Sequence, residues 1–256
     1  MSRLNSLPAP LEPPAGGWRA VTFDLWNTLL VSVPGAVEVR SRHWRAVIGG
    51  RGLDVDDDLL HGTLSMLPVR FDEEWRAGRL YGPEQALAEC FAALGDRIGD
   101  DDRVALADAF EEASHHLDVS PVDGAAAVAR LLTGAGLAVG IVSDTTLAVG
   151  RHLRGYLDRF GVLAHLDHQA FSDEVGAYKP DRRIFEAALA GLGVDDPAGV
   201  VHVGDLRRTD VAGARAMGMA TVRFRGAVDD AEEGPEADAV IDRLADLPAL
   251  LGLPPG

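Results

Sequence analysis

From Pro121 onward the chain alternates helical stretches with short apolar runs, and this alternation constrains the fold more than any other feature. A helix over Gly124 to Thr133 leads through Gly134-Ala135-Gly136 into the apolar run Leu137 to Val142. A helix over Leu147 to Arg159 precedes a strand at His168 to Phe171, and one over Asp181 to Leu192 precedes a strand at Val200 to Val203. A further helix ends at Met217 before a strand at Ala220 to Phe224, and a strand-like DAVI and the helix RLADLPALL follow. Repeated β-α units of this length predict an α/β fold, a Rossmann-like parallel sheet with helices on both faces. The stretch VTFDLWNTLL, Val21 to Leu30, supplies one more strand ahead of the series, ending in Asp24.

Between that first strand and the alternating region almost everything reads helical. Apolar residues recur at helical spacing over Ala36 to Ile48, Asp56 to Met66, a segment starting at Pro83, and Asp101 to Leu117. Pro83 suits a first helical turn, and the run Asp100-Asp101-Asp102 suits the positive end of the last helix. A helical insert directly after the first strand is read as a small cap domain over that strand's end. The expected organisation is a proline-rich flexible tail over 1–17, a Rossmann-like core over 18–33 and 120–256, and a helical cap over 34–119.

Charge narrows the partners. The chain carries a net charge of −16, which repels nucleic-acid backbones and anionic membranes and makes a bound cation the natural way to admit a polyanionic substrate. Neither a nucleic-acid nor a membrane partner is expected. Cys90 is the single cysteine and reads as a small core residue, so no intrachain disulfide or thiolate cluster can form and a reducing compartment fits. The first residues lack the apolar segment of a signal peptide and no apolar run is long enough to span a bilayer, so a cytoplasmic chain is expected. Of 24 basic residues only Lys179 is a lysine.

Asp24, Ser143 and Asp205 each follow an apolar strand, so a parallel sheet brings all three to its carboxyl edge, where ligands of open α/β sheets collect. In GDLRRTD, Asp205 and Asp210 lie five residues apart around the first turn of the next helix. Carboxylates converging without a counter-charge repel unless a divalent cation holds them, and a set of oxygen ligands favours Mg²⁺ over Zn²⁺. Lys179, in the loop SDEVGAYKP of the same edge, can reach a phosphate or the Asp24 carboxylate.

The stretches FDLWNTL, IVSD, YKPDRRIF and VVHVGDLRRTDVAGARAMGM resemble, in order and spacing, the four motifs of the haloacid dehalogenase superfamily of hydrolases, over about residues 19 to 224. The insert resembles that family's helical cap of the phosphatase-like branch. The resemblance implies Asp24 as nucleophile, forming an aspartyl-phosphate that water then hydrolyses. It implies Ser143 as a donor to a phosphoryl oxygen and Lys179 as the cation neutralising the phosphoryl group and Asp24. It implies Mg²⁺ held by Asp24, the Trp26 carbonyl and Asp205, with Asp210 a ligand directly or through water. Asp144, next to Ser143, is read as a substrate contact or as the cap of the following helix, with the cap preferred. The expected activity is Mg²⁺-dependent hydrolysis of a small phosphorylated metabolite, a phosphoric monoester hydrolase.

One position departs from the pattern. The family's phosphatases place a second Asp two residues after the nucleophile as leaving-group acid, and here that position is Trp26, whose indole only donates through its ring N–H. Losing a general acid costs about 10²–10⁴-fold, most for poor leaving groups. A substrate with a good leaving group, a proton donor from the cap, or weak turnover are the three consequences. His43, in the first cap helix beside Trp44 and Arg45, is the first candidate donor and substrate contact; His61, His115 and His116 follow. A dehalogenase-like hydrolase and a metal-binding pseudoenzyme are the alternatives, although dehalogenases of the family lack the acidic fourth motif that Asp205 and Asp210 supply. The absence of any cap lysine excludes the Schiff-base chemistry of phosphonate-cleaving relatives.

Overall fold

A computed structural model describes residues 9–254. In chain order the first part runs β1 (Ala20–Phe23), β2 (Leu30–Ser32), then helices α1 (Ala36–Arg51), α2 (Asp57–Arg76), α3 (Pro83–Leu94) and α4 (Asp100–Ala113). Strand β3 (Val119–Pro121) is followed by α5 (Ala125–Gly134), β4 (Ala138–Ser143), α6 (Gly150–Arg159), β5 (His168–Phe171), α7 (Ser172–Val175) and α8 (Arg182–Leu192). The chain continues through β6 (Val200–Gly204), a π turn at Arg207–Val211, α9 (Ala212–Ala216), β7 (Ala220–Phe224), β8 (Ala239–Ile241) and α10 (Leu247–Leu250). Among the described residues no helix is long and apolar enough to cross a membrane.

The described chain forms two compact units. The first holds the chain up to Val31, Ser120–Asp144, and the chain from Tyr156 onward. The second holds Ser32–Val119 together with Thr145–Gly155. The short strands β2 and β3 pair with each other where the chain leaves the first unit and where it returns.

The first unit is a six-stranded parallel sheet in the order β5-β4-β1-β6-β7-β8, with helices against it, the α/β Rossmann-like architecture anticipated. Strands buried on both faces read as continuous apolar runs, and β4 does so, as does β6 apart from His202. Ile184, Phe185, Ala188 and Leu189 of α8 form one stripe of that helix and pack with Val142, Ala170, Val200 and Ala214 in one buried cluster. The chain winds outward from β1 through β4 to β5, then in the other direction through β6, β7 and β8, so the order reverses at β1. The crevice beyond its carboxyl end is the place such sheets keep for ligands. Register sharpens this: Phe23 pairs with Ile141 on one side and with Val203 on the other. Asp24, Ser143 and Asp205 therefore leave the sheet within one residue of the same level.

The second unit is helical. Its buried cluster gathers Trp44 and Ile48 of α1, Leu60, Leu64 and Leu67 of α2, Cys90 and Leu94 of α3, Leu106 and Phe110 of α4, and Leu147. Trp44 is fully buried and its indole N–H donates to the Leu106 carbonyl at 2.9 Å, so this large ring leaves no polar atom unmatched.

Several boundaries differ from expectation. Helix α2 continues past Met66 and Pro68 to Arg76, because buried Leu64 and Leu67 anchor it on one side of the proline and Arg70 pairs with Glu73 and Glu74 on the other. Helix α4 ends at Ala113, with His115 and His116 in the turn that follows. Residues 145–155, read from sequence as part of the core, pack with the helical unit. Residues 1–8 of the expected tail lie outside the described residues; in the remainder, Leu11 N–H donates to the Leu250 carbonyl at 2.8 Å.

Candidate active site

Asp24 is the first residue past β1, and its N–H donates to the Val203 carbonyl of the neighbouring strand at 2.8 Å, which fixes the backbone where the chain turns. The turn is tight: Leu29 and Leu30 N–H both reach back to the Leu25 carbonyl at 2.9 Å, and Trp26 bridges to Leu30. Asn27 takes the left-handed conformation at φ 59°, a region that Asn tolerates better than most residues. From there its side-chain amide donates to Asp205 Oδ2 at 3.3 Å. Trp26 itself is half-buried, and its ring N–H has no hydrogen-bond partner among the described residues.

Three carboxylates and one ammonium meet here. Asp24, Asp205 and Asp210 are all buried, with ligating oxygens within 4.8 Å of one another. Lys179, 4% exposed, places Nζ 2.5 Å from Asp24 Oδ1 and 2.6 Å from Asp210 Oδ1. The π turn accounts for Asp210. Its wider loop, with Asp210 and Val211 N–H both on the Leu206 carbonyl, swings the side chain back so that Oδ2 accepts Leu206 N–H at 3.0 Å. Gly204 is required for this return, because a Cβ there would sit 2.3 Å from Asp210 Cγ.

The oxygens are unequally engaged. Asp210 Oδ1 accepts from both Lys179 and His202 while Oδ2 holds the Leu206 amide. Asp24 is held through Oδ1, and Asp205 through Oδ2 by the Asn27 contact. Protonation follows the same division. Burial, opposed by Lys179 and reinforced by Asp210, pushes the Asp24 carboxyl up to about 7. Burial and the charges of Asp24 and Asp210 push Asp205 up to about 8. Burial acts on Asp210 too, but Lys179 and His202 outweigh it and hold that carboxyl below its ordinary range. Lys179 is likewise held as an ammonium, the pull of Asp210, Asp24 and Asp144 overriding its burial. Asp24 and Asp205 are thus the carboxyls whose negative charge, when they ionise, lacks a full counter-charge. That excess charge, together with an all-oxygen donor set, suits a hard divalent cation.

Ser143, the last residue of β4, is fully buried, with Oγ 3.2 Å from the Asp144 carbonyl. Asp144 does not cap the next helix, which starts only at Gly150; its Oδ1 accepts Lys179 N–H at 2.8 Å and so fixes the loop that carries the ammonium. His43 belongs to the helical unit, where its Nδ1 bonds the Val39 carbonyl at 2.9 Å and its ring stacks on His116 at 5.4 Å. Arg42, His43, Ala46 and His116 line an open depression of about 350 Å³ there. Asp24, Lys179, Asp205 and Asp210 thus converge, with Ser143 at the same strand level. The sequence reading missed Thr22 and His202. Polar residues inside otherwise apolar strand runs were the signal.

A second group of possible ligands, Glu111, His115 and His152, lies in the helical unit. Val149 N–H donates to His152 Nδ1 at 3.2 Å, which places the ring's proton on Nε2, where it is donated to Glu111 Oε1 at 2.7 Å. Arg151 occupies the same carboxylate. This group is a hydrogen-bonded strut between 145–155 and α4, with no lone pair on His152 left for a metal.

A parallel α/β sheet with a carboxylate cluster at its switch point places the chain in the Rossmann-like class. The family model for haloacid dehalogenase-like hydrolases matches residues 18–218, and the chain belongs to that family. A glyceraldehyde 3-phosphate phosphatase of Methanopyrus kandleri is 31% identical over 237 residues, 90% of this chain and 95% of that one. A ribulose-1,5-bisphosphate 5-phosphatase of Halopiger xanaduensis is 31% identical over 159 residues, 59% of this chain and 64% of its own. In fold, a HAD phosphatase from Thermococcus onnurineus matches with a TM-score of 0.64 at 24% identity, covering 93% of this chain and 100% of that chain.

Proposed function

We propose that this chain is a Mg²⁺-dependent phosphatase of a small phosphorylated metabolite that works through an aspartyl-phosphate on Asp24. The observation that carries the reading is the asymmetric cluster: an ammonium fixes Asp24 Oδ1, while Asp24 and Asp205 are the buried carboxyls that ionise readily only with a further cation beside them. Asp24, the Trp26 carbonyl and Asp205 are the residues that would hold Mg²⁺, which when bound supplies positive charge against the phosphoryl oxygens. Asp210, with both oxygens already engaged, serves chiefly to hold Lys179.

The chain's own groups divide the chemistry. The oxygen of Asp24 that Lys179 leaves free attacks phosphorus, and the bond from phosphorus to the ester oxygen breaks. Lys179 offsets the charge that two anions build as they approach, and Ser143 Oγ donates to a phosphoryl oxygen. Water then attacks phosphorus, releasing inorganic phosphate and restoring the Asp24 carboxylate. Trp26 gives no proton to the departing alkoxide, so leaving groups that need none are cleaved best. The activities named for the two relatives point to triose and pentose phosphates as the substrate class.

The test is phosphate release from triose and pentose phosphates and from an aryl phosphate, with Mg²⁺ and with EDTA, by wild type and Asp24→Asn. Release that requires both the metal and Asp24 is expected, fastest on the aryl ester. Release that survives in Asp24→Asn, or none from any ester, refutes the proposal.

A further inference from the structure

Thr22 and His202 stand opposite each other on adjacent strands β1 and β6, in the middle of runs that are otherwise apolar. Both are essentially inaccessible, at 0% and 1% exposure. Polar side chains at the centre of a parallel sheet are costly unless matched, and these two are matched in sequence. Thr22 Oγ1 lies 2.9 Å from His202 Nδ1, and His202 Nε2 lies 3.1 Å from Asp210 Oδ1. Asp210 Oδ1 in turn lies 2.6 Å from Lys179 Nζ, which touches Asp24.

The chemistry sets the direction of every bond. Asp210 is a carboxylate and only accepts, so His202 Nε2 carries the proton and donates it. Burial and the nearby Lys179 ammonium disfavour the charged ring, although Asp210 draws the other way. Nδ1 therefore has a lone pair, which accepts the Thr22 hydroxyl. The ring cannot swing away, because Phe185 meets it edge-on at 5.4 Å and 80°. The chain of donors ends on the same oxygen that holds the ammonium.

We propose that Thr22 and His202 form a positioning relay that orients the Asp210 carboxylate and, through it, sets Lys179 against Asp24. His202 bonds Thr22 and Asp210, so it acts on Lys179 and Asp24 through Asp210. The carboxylate fixes the tautomer by accepting from Nε2, and the Thr22 hydroxyl, donating to Nδ1, pins the ring so that Nε2 stays aimed at Asp210. The relay rests on the phosphatase reading for its consequence in turnover, and on geometry alone for its tautomer. A hydrogen bond to a charged group is worth about one to two decades in rate when its loss misplaces a catalytic ion.

The experiment uses the full chain in two arms. In the first, histidine-ring ¹⁵N NMR of the metal-free protein, with His202→Phe identifying the resonance, is expected to show His202 protonated on Nε2 and bare on Nδ1. In Thr22→Val the Nε2 proton is expected to stay, with the Nδ1 resonance moving downfield as that nitrogen loses its hydrogen bond. A ring protonated on Nδ1 overturns the relay, whether or not the protein hydrolyses any ester. In the second, His202→Phe, which keeps a ring against Phe185 but has no donor, is expected to lose at least about tenfold in kcat with KM within about twofold. His202→Gln, whose amide restores an N–H toward Asp210, is expected to recover to within about threefold of wild type. Equal losses in folded Phe and Gln variants, or a loss confined to KM, overturn the proposal. A wild type without Asp24-dependent hydrolysis counts against the phosphatase reading instead, and the ring spectrum then decides the relay.

Discussion

Asp205→Asn removes one charge from a site where three buried carboxylates face one ammonium. The ligating oxygens of Asp24, Asp205 and Asp210 lie within 4.8 Å of one another, so each like-charged pair repels by at least about 3 kcal/mol at an effective dielectric near 20. Asp205 takes part in two of these pairs. Attraction to Lys179, which is shared among the three acids, returns roughly half of that total, leaving about 3 kcal/mol of net cost in the metal-free protein. The amide oxygen of Asn still accepts from the Asn27 side chain, so no buried donor is stranded. In EDTA at pH 9, above the value of about 8 to which burial and the neighbouring acids push the Asp205 carboxyl, the variant should therefore melt higher than wild type, by about 6–12 °C for a chain of this size. Differential scanning calorimetry measures this directly, and adding Mg²⁺ should raise the melting temperature of wild type while leaving the variant unchanged. A variant that melts at or below wild type in EDTA refutes the reasoning, because the Asp205 carboxylate would then be compensated without a cation.

Three further outcomes follow from the same structure. Arg223, 3% exposed, is neutralised by Glu236 and Asp229, and Arg223 draws the Glu236 carboxyl down to about 2. A depressed acid stabilises the fold above its unfolded value of 4.5 and loses that contribution as pH falls toward 2, so the stability gap between wild type and Glu236→Gln, followed by urea titration, should hold from neutral pH to about pH 5 and close below it. Gly204→Ala places a Cβ 2.3 Å from Asp210 Cγ, and should cost about 1–3 kcal/mol of stability in urea denaturation together with most of the turnover. Cys90 is fully buried, and burial with the nearby Glu89 charge pushes its thiol up to about 12, so it should resist a thiol reagent in the native chain and react fully in urea.

Much of this site is legible in the residues because it is built from strand ends. Apolar runs closed by Asp24, Ser143 and Asp205 announce a shared sheet edge, and the strands at His168–Phe171 and Ala220–Phe224 begin and end where the pattern places them. Features that depend on tertiary partners are not legible. The π turn after β6 has the composition of an ordinary first helical turn; it is the return of Asp210 past Gly204 that makes it wide. Asp144 looks like a helix cap until the Lys179 amide is seen to occupy it. The grouping of 145–155 with the helices depends on Leu147 in that unit's core and on His152 against Glu111, contacts between distant parts of the sequence. Thr22 and His202 gave a visible signal, two polar residues in apolar runs, whose meaning needed the strand register and Asp210 to resolve.

The most direct test of the central claim is to trap the covalent intermediate. Protein mixed with an aryl phosphate and Mg²⁺ is quenched in the steady state, reduced with borohydride and digested, and the peptide containing Asp24 is read by mass spectrometry. Reduction of an aspartyl-phosphate converts that residue to homoserine, so the account predicts homoserine at position 24, dependent on substrate and metal and absent in Asp24→Asn. Steady phosphate release with Asp24 unmodified throughout contradicts it.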